Sequence, residues 1–238
     1  MFTRVFRHEL KSVFRDKMYA FLMLYPIMMS VVAYFLIPYL KETAAPLAGN
    51  IVTLMFILLN AFMFGAITGF TLLDDQDDKV LLSLRISPIR VRDYILIKLL
   101  ISYVLGVAAT LLIIWVSGFI KEVSILDLIF ILILTPMQGP IFALLINSFA
   151  SNKVEGFVMM KMSGLILMIP IASLFLTNWT ELFLGIVPGF WPARIISMTL
   201  LPIDYLFNHS LIYFILGLVV NSLIGLLFFK AYTKRITL

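Results

Sequence analysis

The chain has no cysteine and only two histidines, His8 and His209, among its 238 residues. Without cysteine it forms neither a disulfide bond nor a thiolate metal site, and two histidines argue against a histidine-built metal site. Charged residues make up 13% of the chain, about half of the roughly 25% that is usual in a soluble domain. Because so little charge cannot cover a folded surface in water, the sequence predicts an integral membrane protein, most of which is surrounded by lipid.

The sequence also lacks the motifs that would supply energy for transport or catalysis. No glycine is followed by lysine, so the chain contains no phosphate-binding P-loop. The apolar segments contain no carboxylate of the kind that proton-driven transporters use. We therefore expect no enzyme activity, catalytic residue, cofactor or metal in this chain, and we expect any energy source to lie in a partner.

Long apolar runs are the main feature that the sequence does have. Apolar residues make up 62% of the chain, and the mean hydropathy is +1.08. The runs are unbroken and show no period-two alternation, which indicates helices and not a membrane β-barrel. Six segments reach the length of about 20 residues that a membrane crossing requires: 19–40, 50–73, 95–119, 125–149, 157–177 and 210–230. The sequence therefore predicts an all-α integral membrane protein with six transmembrane helices in one permease domain, residues 1–238.

Lysine and arginine are distributed unevenly between the connections. Fifteen of the 18 fall in the N-terminal stretch, in 74–98, near the start of the fifth helix or at the C-terminus, and three (Lys41, Lys121 and Arg194) fall on the other side. This bias predicts that both termini are cytoplasmic. The formal charge of +5 then reflects membrane topology, so we expect no nucleic-acid partner.

Residues 1–17 are predicted to form an amphipathic helix in the membrane interface. Phenylalanines and valines share one face, and Arg4, Arg7, Lys11 and Arg15 share the other. We expect the apolar face to contact membrane lipid and the bases to point toward headgroups. Glu9 lies on the apolar face, which makes it a candidate contact with a cytoplasmic partner.

Residues 74–94 form the most highly charged connection, and it follows the second helix. The Asp74–Asp78 cluster is typical of a helix start, where carboxylates meet the positive end of the helix dipole. A short helix over 79–86 is expected to end before Pro88. A solvated loop would explain the bases, but a short amphipathic helix also explains the leucines and would dock into a groove on another protein. The candidate docking residues are Asp77, Asp78, Lys79, Leu81, Leu82, Leu84, Arg85, Ser87, Pro88, Arg90 and Arg92.

Residues 178–209 join the fifth and sixth helices on the predicted external side. Two apolar stretches, 182–190 and 195–203, are too short to cross a membrane and contain or border prolines. They predict a pair of re-entrant or interfacial helices. An apolar external loop is the alternative.

Polar and small residues inside the predicted spans are candidates for the transport pathway or for helix packing. The polar candidates are Asn60, Gln138, Asn147 and Asn221, and such amides commonly join helices by hydrogen bonds. Gly65 and Gly69 form a GxxxG motif that favours close packing. The remaining interior is rich in phenylalanine and methionine, which suits a hydrophobic or amphiphilic substrate.

Three segments resemble the ABC-2 family, the transmembrane permease subunits of ABC exporters: "FRDKMYAFLMLYPIMM" (14–29), "LLSLRISPIRVRDYILIK" (81–98) and "NKVEGFVMMKMSG" (152–164). The resemblance implies that the connection 74–94 is a coupling helix that contacts a separate ATPase subunit, which would hold ATP and Mg²⁺. It also implies a homo- or heterodimer of permease subunits, export as the direction of transport, and a place in the plasma membrane, in a bacterium the cytoplasmic membrane.

Two other functions remain as alternatives. The motif "DDQDD" matches the aspartate pattern that holds Mg²⁺ on a diphosphate in prenyl-transferring enzymes, although no second aspartate-rich motif faces it. The chain could also be a membrane scaffold or immunity protein that transports nothing.

Overall fold

The computed structural model describes residues 2–43, 46–84, 89–176 and 178–237, and within these ranges the chain is helical without strands. Short 3₁₀ turns interrupt or extend some of the helices, most notably Thr135–Met137 between two halves of one helix. The helices are α1 (Phe2–Arg15), α2 (Lys17–Met23), α3 (Tyr25–Thr43), α4 (Pro46–Asp77), α5 (Val80–Ser83), α6 (Val91–Val116), α7 (Ile125–Leu134), α8 (Gln138–Phe149), α9 (Lys153–Ile166), α10 (Ile169–Ala172), α11 (Glu181–Leu184), α12 (Phe190–Leu200) and α13 (Ser210–Thr237).

Six helical segments of the described chain are long and apolar enough to cross a membrane, which confirms the prediction of an all-helical, multi-pass membrane protein. Their boundaries differ from the predicted ones chiefly where charged residues continue a helix, as at the end of span 2 and the start of span 3. The segments are span 1 (Tyr19–Thr43), span 2 (Pro46–Asp77), span 3 (Val91–Val116), span 4 (Ile125–Phe149), span 5 (Lys153–Phe175) and span 6 (Ser210–Ile236).

Helix α4 forms the centre of the bundle and packs against α8, α6 and α3. Its closest approach to α8 is at two glycines, since a Cβ atom built on Gly65 would lie 2.5 Å from the carbonyl oxygen of Gly139. One turn later, a Cβ atom on Gly69 would lie 3.1 Å from the Ile146 side chain. The GxxxG pair therefore faces α8 and leaves room for backbone-to-backbone contact.

Helix α1 and the last turns of α13 lie at one end of the bundle, which we call the terminal end. The Glu9 side chain of α1 contacts Lys98 near the start of α6. The Arg235 guanidinium of α13 donates to the carbonyl oxygens of Asn147 and Ala150, at 3.1 and 2.9 Å, where α8 ends. The helix α5 and the connection between spans 2 and 3 are at this same end.

Two short helices, α11 and α12, lie between spans 5 and 6 at the opposite end. Helix α12 is buried along most of its length and packs against α13, α7, α10 and α4. It forms part of the largest hydrophobic cluster of the molecule, which also contains Ile131, Phe190 and Tyr213. The region predicted as a pair of short helices therefore has two helices, and the longer one is inserted among the spans.

Candidate functional site

The acidic cluster at the start of the 74–94 connection ends a helix and does not begin one. Asp74, Asp75 and Asp77 occupy the last turn of α4, so the prediction that they start a helix was wrong. Carboxylates in the last turn of a helix are repelled by the negative end of the helix dipole. The structure compensates by bringing cations and hydroxyl donors to them from α2, α6 and α9, which local sequence could not reveal.

Lys98 is the centre of the first compensating cluster. Its ammonium group forms ion pairs with Asp75 and, at 3.3 Å, with Glu9, and it donates to the carbonyl oxygen of Thr71 at 3.3 Å. The Tyr94 hydroxyl also donates to Asp75, at 3.1 Å. The Lys98 and Glu9 side chains are only 7% and 9% exposed. This cluster therefore joins α1, α4 and α6, and it places Glu9 against the bundle, whereas the sequence suggested a contact with a partner.

Asp74 takes part in a second cluster beside the first. Its carboxylate accepts a hydrogen bond from the Tyr19 hydroxyl and pairs with the Lys153 ammonium group at 2.6 Å. Tyr19 belongs to span 1 and Lys153 begins span 5. The end of α4 is thus connected to α2 and α9 as well.

Gln76 completes the set of contacts from the end of α4. Its amide nitrogen donates to Asn147 at 2.9 Å and to Tyr232 at 3.1 Å. Asn147 in turn donates to the carbonyl oxygens of Gly69 and Ala143, both at 2.9 Å. Asn147 therefore acts in helix packing, and the three residues 74–76 are joined to α2, α6, α8, α9 and α13.

The short helix α5 projects from this framework with a mixed outer surface. Its Leu81 is only 7% exposed and lines a cavity of about 210 Å³ with Gln76 and Arg235, so it anchors the helix, whereas the sequence suggested a docking contact. Leu84 is half-buried. The exposed members of the predicted docking set are Asp77, Asp78, Lys79, Arg90 and Arg92. Arg85, Ser87, Pro88 and the side chain of Leu82 lie outside the described residues.

Lys79 marks the sharp end of α4. It has a φ of 57°, the left-handed conformation that normally favours glycine after a helix. The amides of Asp78 and Lys79 close the helix by bonding to the carbonyl oxygens of Asp74 and Gln76, at 2.8 and 3.1 Å. This turn sets the direction of α5 relative to α4.

A buried ion pair that local sequence does not indicate lies at the opposite end of the bundle. Arg194 of α12 and Glu181 of α11 pair with both side chains fully buried. Arg194 also donates to the carbonyl oxygen of Ser173 at 2.7 Å, and the Tyr213 hydroxyl donates to Glu181 at 2.7 Å. The pair therefore joins the end of span 5, α11, α12 and span 6, although both residues had been assigned only to an external connection.

Aromatic rings surround the Arg194 guanidinium. The rings of Phe190 and Tyr205 lie 5.5 and 5.8 Å from its central carbon. Burial raises the pKa of Tyr205 above its ordinary value, so its phenol stays protonated and donates to the carbonyl oxygen of Leu201 at 3.2 Å. These rings cover part of the guanidinium in its fully buried position.

The other three amides of the spans lie in the interior without full hydrogen bonding. Neither polar atom of Asn60, nor the side-chain oxygens of Gln138 and Asn221, has a hydrogen-bond partner among the described residues. All three side chains are fully buried. These three side chains therefore differ from Asn147, whose amide nitrogen donates two hydrogen bonds and whose amide oxygen accepts one.

The "DDQDD" motif does not form a metal-binding arrangement. Asp74 and Asp75 are engaged by different partners, and within the described ranges no three histidine, aspartate or glutamate side chains converge as metal ligands. This arrangement does not favour the prenyl-transferring alternative.

A family model described as fluoroquinolones export permease protein Rv2686c-like matches residues 9–229, nearly the whole chain. The chain belongs to the Rv2686c-like family. Similar proteins include the fluoroquinolones export permease proteins Rv2686c and MT2760 of two Mycobacterium tuberculosis strains, each 24% identical over 200 residues that cover 79% of this chain and 78% of the relative. No solved structure gives a significant match. Membership in the Rv2686c-like family confirms the coarser functional prediction, that of a membrane-embedded export permease.

Proposed function

We propose that this chain is the permease subunit of an ATP-driven exporter of the ABC-2 type, with ATP and Mg²⁺ bound by a separate ATPase subunit. The observation that carries the proposal is the attachment of α5. Six bonds or ion pairs from residues 74–76 tie the end of α4 to helices around it. A force applied to α5 would therefore pass into several spans at once, as a coupling element requires.

The outer surface of this region suits a protein partner. Asp77, Asp78 and Lys79, which precede α5 in the chain, are exposed, and so are Arg90 and Arg92, which follow it. Exposed charges of both signs on one connection would give electrostatic specificity for a complementary surface. We infer that the terminal end is cytoplasmic and that the ATPase subunit binds there.

The substrate of this exporter is inferred to be an amphiphilic aromatic compound of the fluoroquinolone kind. The family description and both relatives name fluoroquinolones as the exported compounds. The exposed outer faces of spans 1 and 6 are apolar, and a second permease subunit, identical or similar, would complete the pathway. The membrane in question is the plasma membrane.

Co-purification with an ATPase tests the proposal. Tagged protein is extracted from native membranes in a mild detergent, and the proteins bound to it are identified by mass spectrometry. Arg92→Glu should remove the ATPase, because Arg92 lies on the proposed contact surface. Lys230→Glu is the matched control, since it makes the same change in formal charge at an exposed position of α13.

The proposal would be wrong if no P-loop ATPase accompanied the unchanged protein, or if both variants retained it equally. The first result would favour a scaffold or immunity protein that transports nothing. The second would move the contact surface away from the region around α5.

A further inference from the structure

A cavity of about 210 Å³ lies at the terminal end of the bundle. Two of the residues that line it come from the end of α4 and the turn after it, one comes from α5, and two come from the last turn of α13. The lining residues within the described ranges are Gln76, Lys79, Leu81, Arg235 and Ile236. Because spans 2 and 6 end here, the cavity lies at the depth of the lipid headgroups.

Two cations line this cavity, and no described carboxylate neutralises either of them. Lys79 is exposed and Arg235 is half-buried, and neither forms an ion pair within the described ranges. Arg235 bonds instead to uncharged acceptors where α8 ends, the carbonyl oxygens of Asn147 and Ala150, at 3.1 and 2.9 Å. No acid belongs to the described lining, so the cavity presents two positive charges to a ligand.

The polar lining is ordered by contacts within the protein itself. The bonds to the end of α8 orient the Arg235 guanidinium. The left-handed turn at Lys79 fixes the backbone from which its ammonium group extends, and the Gln76 amide is held by its bonds to Asn147 and Tyr232. A site that is already ordered loses less conformational entropy when a ligand binds.

We propose that this cavity, which we call the α5–α13 site, binds the phosphate group of an anionic phospholipid headgroup. Phosphate forms strong charge-assisted hydrogen bonds with guanidinium and ammonium groups, and Arg235 and Lys79 supply one of each. The aliphatic side chains of Leu81 and Ile236 pack against the glycerol part of the lipid. Basic cavities between membrane helices bind anionic headgroups in this way. The inference goes beyond the proposed export function and does not depend on it.

The position and lining of the site favour a lipid over other sources of negative charge. Headgroups surround the ends of membrane-spanning helices in a bilayer. A free phosphate ion would have to leave water and would gain nothing from the aliphatic side chains of Leu81 and Ile236. An acidic side chain of a protein partner carries the same charge, but it would have to displace the headgroups that are already present at this depth.

A bound headgroup would also connect α5 to span 6. Helix α5 begins at Val80, directly after Lys79, and Arg235 lies in the last turn of α13. One phosphate that contacts both cations therefore joins the turn before α5 to span 6. The amount of anionic lipid in the membrane then sets how firmly α5 is held against the bundle.

Native mass spectrometry of the purified full-length chain in a nonionic detergent tests this. Phosphatidylglycerol is titrated in, and the bound fraction gives its dissociation constant. Phosphatidylcholine with the same acyl chains tests the need for a net negative headgroup, and inorganic phosphate is added as a competitor. The variants are Lys79→Gln and Arg235→Gln. The matched control is Lys230→Gln, which removes the same charge from an exposed position of α13 that does not line the cavity.

Phosphatidylglycerol should bind the unchanged protein more tightly than phosphatidylcholine does, and inorganic phosphate should not displace it. Lys79→Gln should weaken phosphatidylglycerol binding by about fivefold, the contribution of one basic side chain near anionic headgroups, whereas Lys230→Gln should not change it. Phosphatidylglycerol should also raise the thermal unfolding midpoint of the unchanged protein more than that of Lys79→Gln, because a ligand of the native state stabilises it.

Arg235→Gln should weaken binding further, and its unfolding midpoint without lipid shows whether it still folds. If it does not fold, Lys79→Gln alone decides. The α5–α13 site would be refuted by equal affinities in Lys79→Gln and the unchanged protein. Equal losses in Lys79→Gln and Lys230→Gln would replace it with a general attraction of bases to lipid. Displacement by inorganic phosphate would overturn the lipid as the ligand, and so would loss of a bound protein partner in Lys79→Gln with unchanged lipid affinity.

Discussion

Lys98 of α6 lies 3.3 Å from Glu9 of α1 while also pairing with Asp75 of α4. One cation thus neutralises carboxylates from two different helices in an almost fully buried setting. The contact attaches the amphipathic N-terminal helix to the helix that carries α5. Lys98 therefore links α1, α4 and α6.

Replacing Lys98 should therefore destabilise the protein strongly. Lys98→Met removes the cation that pairs with two buried carboxylates, and breaking a buried ion pair typically costs about 3–5 kcal/mol. Glu9→Gln should cost less, because Asp75 still neutralises Lys98. The thermal unfolding midpoint in detergent, followed by tryptophan fluorescence, measures both. Equal midpoints for Lys98→Met and the unchanged protein would mean that the cluster does not hold α1.

The buried pair at the opposite end should behave in a similar way. Glu181→Gln leaves the Arg194 cation without its buried countercharge and should cost about 3–5 kcal/mol, and the double variant Glu181→Leu with Arg194→Met should recover part of the loss. Glu122→Gln is the matched control, since Glu122 pairs with Lys41 at 3.0 Å on the exposed surface and such pairs contribute about 1 kcal/mol or less. If both single variants lost the same stability, burial of the Arg194 pair would be disproved as the reason.

Replacing Lys79 with glycine should stabilise the protein. A non-glycine residue in the left-handed conformation carries a strain of about 1–2 kcal/mol, and glycine removes most of it, so Lys79→Gly should raise the unfolding midpoint. Ser83→Gly, inside α5, should lower it, because glycine is a poor helix former. Opposite shifts in the two variants support the observed turn, whereas a loss of stability in Lys79→Gly contradicts it.

The contact between α4 and α8 should not tolerate a methyl group. Gly65→Ala would place a Cβ atom 2.5 Å from the backbone of Gly139, so the helices must move apart and the unfolding midpoint should fall. Gly164→Ala is the control, because nothing lies within 4 Å of its Cβ position, and alanine there should stabilise α9 by up to about 1 kcal/mol. Similar midpoints for both variants would indicate a looser contact between the two spans.

Much of the fold could be predicted because it depends on local properties. Each crossing needs a run of apolar residues, and the chain supplies six. Prediction failed at the ends of the spans. Asp74 and Asp75 were placed at a helix start by the dipole rule, yet they end α4 because Lys98, Lys153 and Tyr19 stabilise them from distant parts of the chain.

The candidate site was predictable only as a charged surface between spans 2 and 3. The exposure of Arg90 and Arg92 follows from their place in a short polar connection. The inward direction of Leu81 depends on the turn at Lys79. Whether the Asn60 side chain has a hydrogen-bond partner depends on which helix faces it. Neither can be read from hydropathy, because hydropathy gives the length of a helix and not its rotation or neighbours.

The sequence by itself determined that lipid surrounds most of the protein, how many helices are long enough to span a membrane, and that the chain has no P-loop. Composition and the length of apolar runs depend on no contact between distant residues. Tertiary structure decided which charges are buried. Arg194 and Glu181 read as ordinary residues of a connection, but the insertion of α12 among the spans removes both from solvent. The physical reason is that a charge can be buried only when its partner arrives from another segment, and the packed helices alone bring the two together.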